Sequence, residues 1–387
     1  MRVTHVITRL IIGGAQENTI ATVLGLRRKP GLEVNLVSGP TSGPEGSLES
    51  ALDPGILTLL PQLVRPVSPI NDIAAWLALT RLFRQIKPAI VHTHSGKAGI
   101  LGRLAAHRAG VPVIIHSIHG PSFGAFQGAL SNFIFTAAER IAGRVTTHFI
   151  TVANAMTNHY LAAGIGRPEL FTRVFSGFPL DAYLTAKNDL NLRARLGIAP
   201  NDFVVGKIAR LFTLKGHDDL FDVAPELIQL CPRMKFLFIG DGLWRKRLEA
   251  RARALGLERT FIFAGLVPPS EVPRYVGIMD ALAHLSRREG LPRALPQAMA
   301  AARPVVAYDC DGAGEACLEN QTGFLVLPGD LSTLTLRLVE LYNDPQLRIR
   351  LGAAGQNFTR DRFTVERMVD AIHAIYVEQA SLPVQSK

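Results

Sequence analysis

The feature that most restricts how this chain can fold is a pattern repeated in both halves. A short apolar run ends at glycine, histidine or proline and gives way to a segment of helical composition. Val3–Leu10 leads through Gly13-Gly14 into AQENTIATVLGLRR, and AIVHTHS leads into GKAGILGRLAAHRAG. FVVGKIARL, MKFLFIGDG, FIFAG and DALAHL repeat the pattern further along. Runs this rich in Val, Ile and Leu suit strands covered on both faces, and strands alternating with helices at this spacing predict a doubly wound parallel sheet of the α/β class. A chain of 387 residues is too long for one ordinary core. The pattern breaks once, at residues 181–200, which hold no strand and read as a linker plus a first helix. Two domains are therefore expected, 1–185 and 186–365, with a helix over 366–387 packing back onto the first.

Composition serves mainly to exclude. Apolar residues make up 48% and charged residues 19% of the chain, which excludes a disordered protein. No stretch is long and apolar enough to span a bilayer, and MRVTHVITRL reads as a strand rather than a signal peptide, so a cytoplasmic location is expected. Cys231, Cys310 and Cys317 fit neither a zinc pattern nor a disulfide framework, in keeping with a reducing compartment. The net charge of +10 is uneven: residues 1–180 hold 16 Lys and Arg against 8 Asp and Glu, whereas residues 181–387 hold 26 against 24. Excess positive charge in the first half would attract phosphorylated acceptors or an anionic membrane surface, or serve solubility alone. No basic block with interleaved aromatics points to nucleic acid.

The polar positions able to carry chemistry sit where apolar runs break. DALAHL ends in Ser286, two arginines and Glu289-Gly290-Leu291-Pro292, and helical composition resumes at Ala294. A carboxylate just ahead of a helix N-terminus stays ionised and accepts sugar hydroxyls, while neighbouring N–H groups hold a phosphate. Gln297 lies about two turns further on, on roughly the same face. In the bland alternative Glu289 merely caps that helix. Arg210 and Lys215 flank the turn after FVVGKIARL, placed to clamp a diphosphate. Gly240 and Gly242, like Gly14 in the first turn, allow close backbone approach. GGAQEN lacks G-x-G-x-x-G, so no nicotinamide dinucleotide is expected. His119 closes the strand VPVIIHSIHG, at the edge where open sheets present chemistry. Nearby His92, His94 and His116 lack an acidic partner, and no metal site is expected. The apolar stretch Phe123–Ile141 reads either as a core helix or as a face for a lipid-linked acceptor or the membrane surface.

Gly13-Gly14, His119-Gly120, Gly206-x-x-x-Arg210 with Lys215-Gly216, FIGDG, FAG, Glu289-Gly290 and GFLV together resemble the retaining GT-B glycosyltransferases of family 4, over nearly the whole chain. His119-Gly120 followed by an apolar helix and AERIA resembles members that build bacterial surface polysaccharides on lipid carriers. The resemblance implies two Rossmann-like domains facing a central cleft, a UDP-linked sugar as donor, and neither cofactor nor metal. It implies that Gly14 lies under the donor phosphates or faces the acceptor, and that His119 contacts the transferring sugar. Arg210 and Lys215 would hold the diphosphate and Glu289 would meet the sugar hydroxyls, with Gly240, Gly242, Gly290 and Leu291 lining the nucleotide-sugar site. Two positions depart from the family pattern. Gln297 stands where a second glutamate would accept the ribose hydroxyls, and Phe175-Ser176-Gly177-Phe178 stands where an asparagine-glycine turn is usual. An amide carries no charge, so weaker donor binding or a different base preference follows from Gln297.

The expected reaction is transfer of a hexose or N-acetylhexosamine to a hydroxyl of a glycan or polyprenyl-diphosphate-linked acceptor, with retained configuration and peripheral contact with the inner face of the cell membrane. A non-hydrolysing nucleotide-sugar epimerase shares the two-domain layout, and a binding protein weakened at Gln297 is the non-enzyme alternative. Glycoside hydrolysis wants two carboxylates flanking the bond, which the sequence does not offer around Glu289.

Overall fold

The computed structural model describes residues 1–43 and 45–382. Within them the chain forms two compact units, Met1–Phe178 with the chain from Val365, and Pro179–Thr364. The division falls before Pro179 rather than after residue 185. Gly177 N–H donates to Met368 Sδ on the terminal helix (3.1 Å), whereas helix Asp181–Leu184 packs on helices Val272–Gly277 and Ala294–Ala300 of the second unit.

The first unit is built on seven strands: β1 (Arg2–Ile7), β2 (Glu33–Ser38), β3 (Leu57–Leu59), β4 (Ile90–His94), β5 (Val113–Ile118), β6 (His148–Thr151) and β7 (Phe171–Arg173). They lie in the order β3-β2-β1-β4-β5-β6-β7, all pairs parallel. Short β3 follows a Gly/Pro-rich segment and carries no periodicity long enough to read from sequence. Side-chain alternation gives the sheet two apolar faces. Val3 and Ile7 pack with helix Gly14–Leu26 and the terminal helix Val365–Ser381, while Val6, Val91 and Ile114 pack with helices Pro69–Ile86 and Gly96–Ala109. Gly110, left-handed at φ 77°, ends the latter helix.

The second unit holds β8 (Phe203–Ile208), β9 (Met234–Ile239), β10 (Phe261–Gly265), β11 (Ala281–His284), β12 (Val305–Tyr308) and β13 (Gly323–Val326), in the order β10-β9-β8-β11-β12-β13. No hairpin follows VVAY: β13 pairs parallel with β12, and the connection carries the short helix Ala313–Ala316. Both sheets therefore reverse strand order once, between β1 and β4 and between β8 and β11, which makes each of them doubly wound.

The terminal helix is structural in the first unit. Met368, Val369, Ile372, Ile375 and Tyr376 are buried in the same core as Val3 and Ile7. Replacing Ile372, 3% exposed, by alanine is expected to destabilise this unit by about 2–5 kcal/mol, read as a lowered midpoint in urea.

Candidate active site

Because strand order reverses between β8 and β11, the loops leaving their carboxyl ends turn to opposite sides and open a crevice. Several contacts fix these two loops to each other. Arg287 N–H donates to Leu214 O (2.8 Å), and Lys215 Nζ reaches Ser286 Oγ (3.4 Å). Gly216, at φ 60°, feeds helix His217–Leu230, and a Cβ there would stand 2.0 Å from Leu285 O, so the loops meet this closely only over a glycine. Arg287 Nη2 donates to both oxygens of Asp219 (3.1 and 2.9 Å), in the first turn of that helix, and Tyr308 O–H donates to Asp219 Oδ2 (2.8 Å). The β11 loop is thus anchored to the helix that the β8 loop enters.

Lys215 and Glu289 come together at this junction, Nζ to Oε1 2.6 Å, both side chains about four-fifths buried. Buried His284 brings Nε2 to 3.3 Å from the same oxygen. Burial alone would raise the Glu289 carboxyl, but Lys215 and His284 outweigh it and hold it well below the usual carboxylate range. Burial lowers His284, which counts as a neutral ring near pH 7. His217, lowered to about 3 chiefly by burial, donates Nε2–H to Arg210 O (2.9 Å) and so fixes the backbone of the β8 loop. Arg210 is exposed on that loop, and its charge, after burial, helps lower Arg288. The result is a carboxylate kept anionic beside Lys215 and within the field of Arg288, which Arg210 also feels, at a helix N-terminus. Such a site can hold a diphosphate on its cations while an anionic oxygen accepts hydroxyls.

The other expected residues fall around this point in different ways. Glu289 is not a helix cap: its N–H donates to Asp311 Oδ2 (2.7 Å), and helix Ala294–Ala300 starts after Arg293 without a side-chain cap. Gln297 is half-buried on this helix. Gly290 O accepts from Gly312 N–H (3.0 Å), and Leu291 is buried. A Cβ at Gly240 would lie 2.2 Å from Ala209 O, and one at Gly242 2.5 Å from Leu211 O, so the backbone these glycines approach is the loop bearing Arg210.

In the first unit, Gly14 opens the helix after β1, and His119 follows β5, half-buried. His119 does not stand alone. Its Nε2 lies 3.0 Å from His94 Nδ1, and His94 Nε2 lies 2.9 Å from His5 Nδ1. Ring nitrogens of His5, His92 and His94 fall within 4.8 Å of one another, an arrangement able to hold a metal ion, but all six are already hydrogen-bonded. The sequence reading missed His284, Asp219 and Asp311 in the second unit and His5, Ser117 and Tyr376 in the first. For His284 alone there was a local signal, as the polar residue inside the apolar run ALAHL.

Residues 188–358 match the family profile for glycosyl transferases group 1, and residues 13–173 match the profile for a glycosyl transferase 4-like domain. The chain belongs to the group 1 glycosyltransferases. This transferase is 26% identical over 383 residues to the UDP-Gal:alpha-D-GlcNAc-diphosphoundecaprenol alpha-1,3-galactosyltransferase of Escherichia coli, covering 98% of this chain and 97% of the relative. It is 26% identical to the putative glycosyltransferase EpsD of Bacillus subtilis over 83% of its own length and 84% of that relative's. In fold it is similar to Anabaena HepE, solved in complex with UDP and glucose, with a TM-score of 0.84 at 24% identity, covering 98% of this chain and all of that one. The transferase therefore has the GT-B fold, two Rossmann-like parallel-sheet domains.

Lys207, on β8 and 2% exposed, is lowered to about 7 by burial, partly offset by Asp219. Unfolding restores its ordinary affinity for a proton, so the unfolded chain binds more protons between about pH 7 and 10 and stability rises with pH across that window. Lys207→Met should remove this rise, up to about 1.4 kcal/mol per pH unit, in denaturant melts at stepped pH.

Proposed function

We propose that the transferase moves a hexose or N-acetylhexosamine from a UDP-linked sugar to a hydroxyl of a glycan or polyprenyl-diphosphate-linked acceptor, with retained configuration, in bacterial polysaccharide assembly. The Lys215–Glu289 pair at 2.6 Å, beside the N-terminus of helix His217–Leu230 at the strand-order reversal, carries this reading. As the glycosidic bond breaks, negative charge grows on the departing diphosphate. Arg210, Lys215 and the helix N–H groups supply positive potential there without a resident metal. Lys215 has three N–H donors, and the one not spent on Glu289 and Ser286 suits a phosphate oxygen. Glu289, held anionic, is suited to accept ring hydroxyls and ill suited to donate a proton as a hydrolase acid does. Retention follows if the acceptor enters on the face the diphosphate leaves, a diphosphate oxygen taking its proton. The donor assignment draws support from the relative named for UDP-Gal and from HepE, bound to UDP and glucose. The two family profiles favour transfer over epimerisation.

The acceptor side draws on helix Ala129–Gly143. Glu139 on this helix is fully buried against Arg103 (2.5 Å), which anchors the AERIA segment, while Leu130, Phe133, Ile134 and Ile141 stand exposed. Phe123, by contrast, is buried, its ring 4.5 Å from that of His159, so it belongs to the core rather than to a lipid face. Among the described residues no helix is long and apolar enough to cross a membrane. Peripheral contact of this helix with an anionic membrane fits the exposed apolar row and the basic first half.

With UDP-sugars and a polyprenyl-diphosphate glycan, Lys215→Ala should lower kcat by about 100- to 1,000-fold, and proton NMR of the product should show the donor's anomeric configuration. Turnover unchanged in Lys215→Ala would refute the diphosphate role. Gln297→Glu should tighten donor binding by roughly 10-fold, and an unchanged Kd and kcat would remove Gln297 from the ribose. Leu130→Asp with Phe133→Asp should abolish flotation with anionic vesicles while the circular dichroism spectrum is retained.

A further inference from the structure

In the first unit a polar stripe runs across an otherwise apolar sheet face. His5 on β1 sits opposite His92 on β4 in the parallel register, and His94 sits opposite Ser117 on β5, so all four side chains share the face that the terminal helix covers. Tyr376 of that helix reaches into the stripe. Its hydroxyl lies 2.6 Å from His92 Nδ1 and 3.1 Å from His5 Nε2. His92 Nε2 then meets Ser117 Oγ at 2.7 Å, and His5 Nδ1 meets His94 Nε2, whose ring partner is His119. The chain runs without a break: Ser117, His92, Tyr376, His5, His94, His119.

A neutral imidazole carries one N–H, so within such a chain each ring must accept on one nitrogen and donate from the other. Burial pushes His5 down to about 3 and His92 and His94 well below their ordinary value, and it pushes Tyr376 well above its own, so all four stay neutral near pH 7. Only two arrangements use every bond and also spend the Tyr376 hydroxyl proton on one of them, and they run in opposite directions. In one, Tyr376 donates to His92 and accepts from His5; in the other it does the reverse. Bonds donated by O–H are shorter than those donated by N–H, and the 2.6 Å bond is to His92 while the 3.1 Å bond is to His5. The direction is thereby set. His92 donates Nε2–H to Ser117, His5 donates Nε2–H to Tyr376, His94 donates Nε2–H to His5, and His119 donates Nε2–H to His94.

We propose that Tyr376, His92, His5 and His94 are positioning residues that lock His119 as its Nε2–H tautomer, with Nδ1 unprotonated, the state in which a histidine ring accepts from a sugar hydroxyl. The substrate half of this statement rests on the reading of His119 as a sugar contact. The tautomer half stands on the hydrogen-bond chain alone. A metal ion at His5, His92 and His94 would have to break these bonds to gain its ligands.

The test is nitrogen-15 NMR of histidine-labelled full-length protein, joined to kinetics. All four imidazoles of the chain should report protonated Nε2 and unprotonated Nδ1. Tyr376→Phe removes the hydroxyl at the centre, and should shift His5, His94 and His119 toward the other tautomer while kcat falls roughly 10- to 100-fold and donor Kd stays within about two-fold. Ser117→Ala, a milder change, takes away the acceptor for His92 Nε2–H. Because a buried acceptor tolerates a lost partner better than a buried N–H does, the whole chain, His5 included, should reverse. Mixed tautomers in the wild type, or rings at His5 and His119 that ignore both substitutions, would overturn the proposal. Full turnover by His119→Ala would instead overturn the sugar contact and leave the locked tautomer standing.

Discussion

Everything in this molecule follows from the demand that a parallel sheet covered by helices on both faces be dry. Its backbone groups are paired within the ladder, and its side chains must be apolar or bonded to one another. Chemistry is thereby driven to the carboxyl ends of the strands, and within each unit it gathers where the order of strands turns back on itself. In the second unit that place holds Lys215 and Glu289. In the first it lies between β1 and β4, the two strands that carry His5, His92 and His94.

The two units answer the same demand by opposite electrostatic means. The second keeps its charges and pairs them: Lys215 with Glu289, Arg287 with Asp219. Removing one partner of such a largely buried pair leaves the other with an uncompensated desolvation penalty. At its own strand-order reversal the first unit gives up charge, and the buried histidines there are kept neutral and hydrogen-bonded. A charged pair suits a ligand that brings charge of its own, whereas a neutral bonded row suits a task of orientation.

Local pattern carried much of the architecture. Strand and helix alternation, the two-sheet organisation and the loop bearing Glu289 are written in short stretches of sequence, and β8, β9 and β11 lie where their apolar runs place them. What could not be read is what depends on strand order. His92 and His94 plainly share a strand face, but that β1 rather than β2 is the neighbour of β4, bringing His5 alongside, is a property of the winding. Tyr376 is more remote still, 371 positions from His5 and yet bonded to it. Asp311, in a turn, and Asp219, in the first turn of a helix, have local compositions that do not distinguish them from solvated carboxylates, and the parallel placement of β13 follows from the sheet edge left open beside β12. The glycines of FIGDG were legible as places of close approach, though the backbone they approach is that of the neighbouring loop.

The terminal helix belongs to the first unit although the whole second unit precedes it in the chain. During synthesis, therefore, the amino-terminal sheet leaves the ribosome with one face only partly covered, by helix Gly14–Leu26. It waits in that state through the translation of Pro179–Thr364 before its lid arrives. Meanwhile Val3, Ile7, Ile90 and Ile115 present unshielded apolar surface, a natural handhold for a chaperone, and His5 and His92 have water where Tyr376 will later sit. The last seam to close on the nascent polypeptide is the one that dries the histidine row.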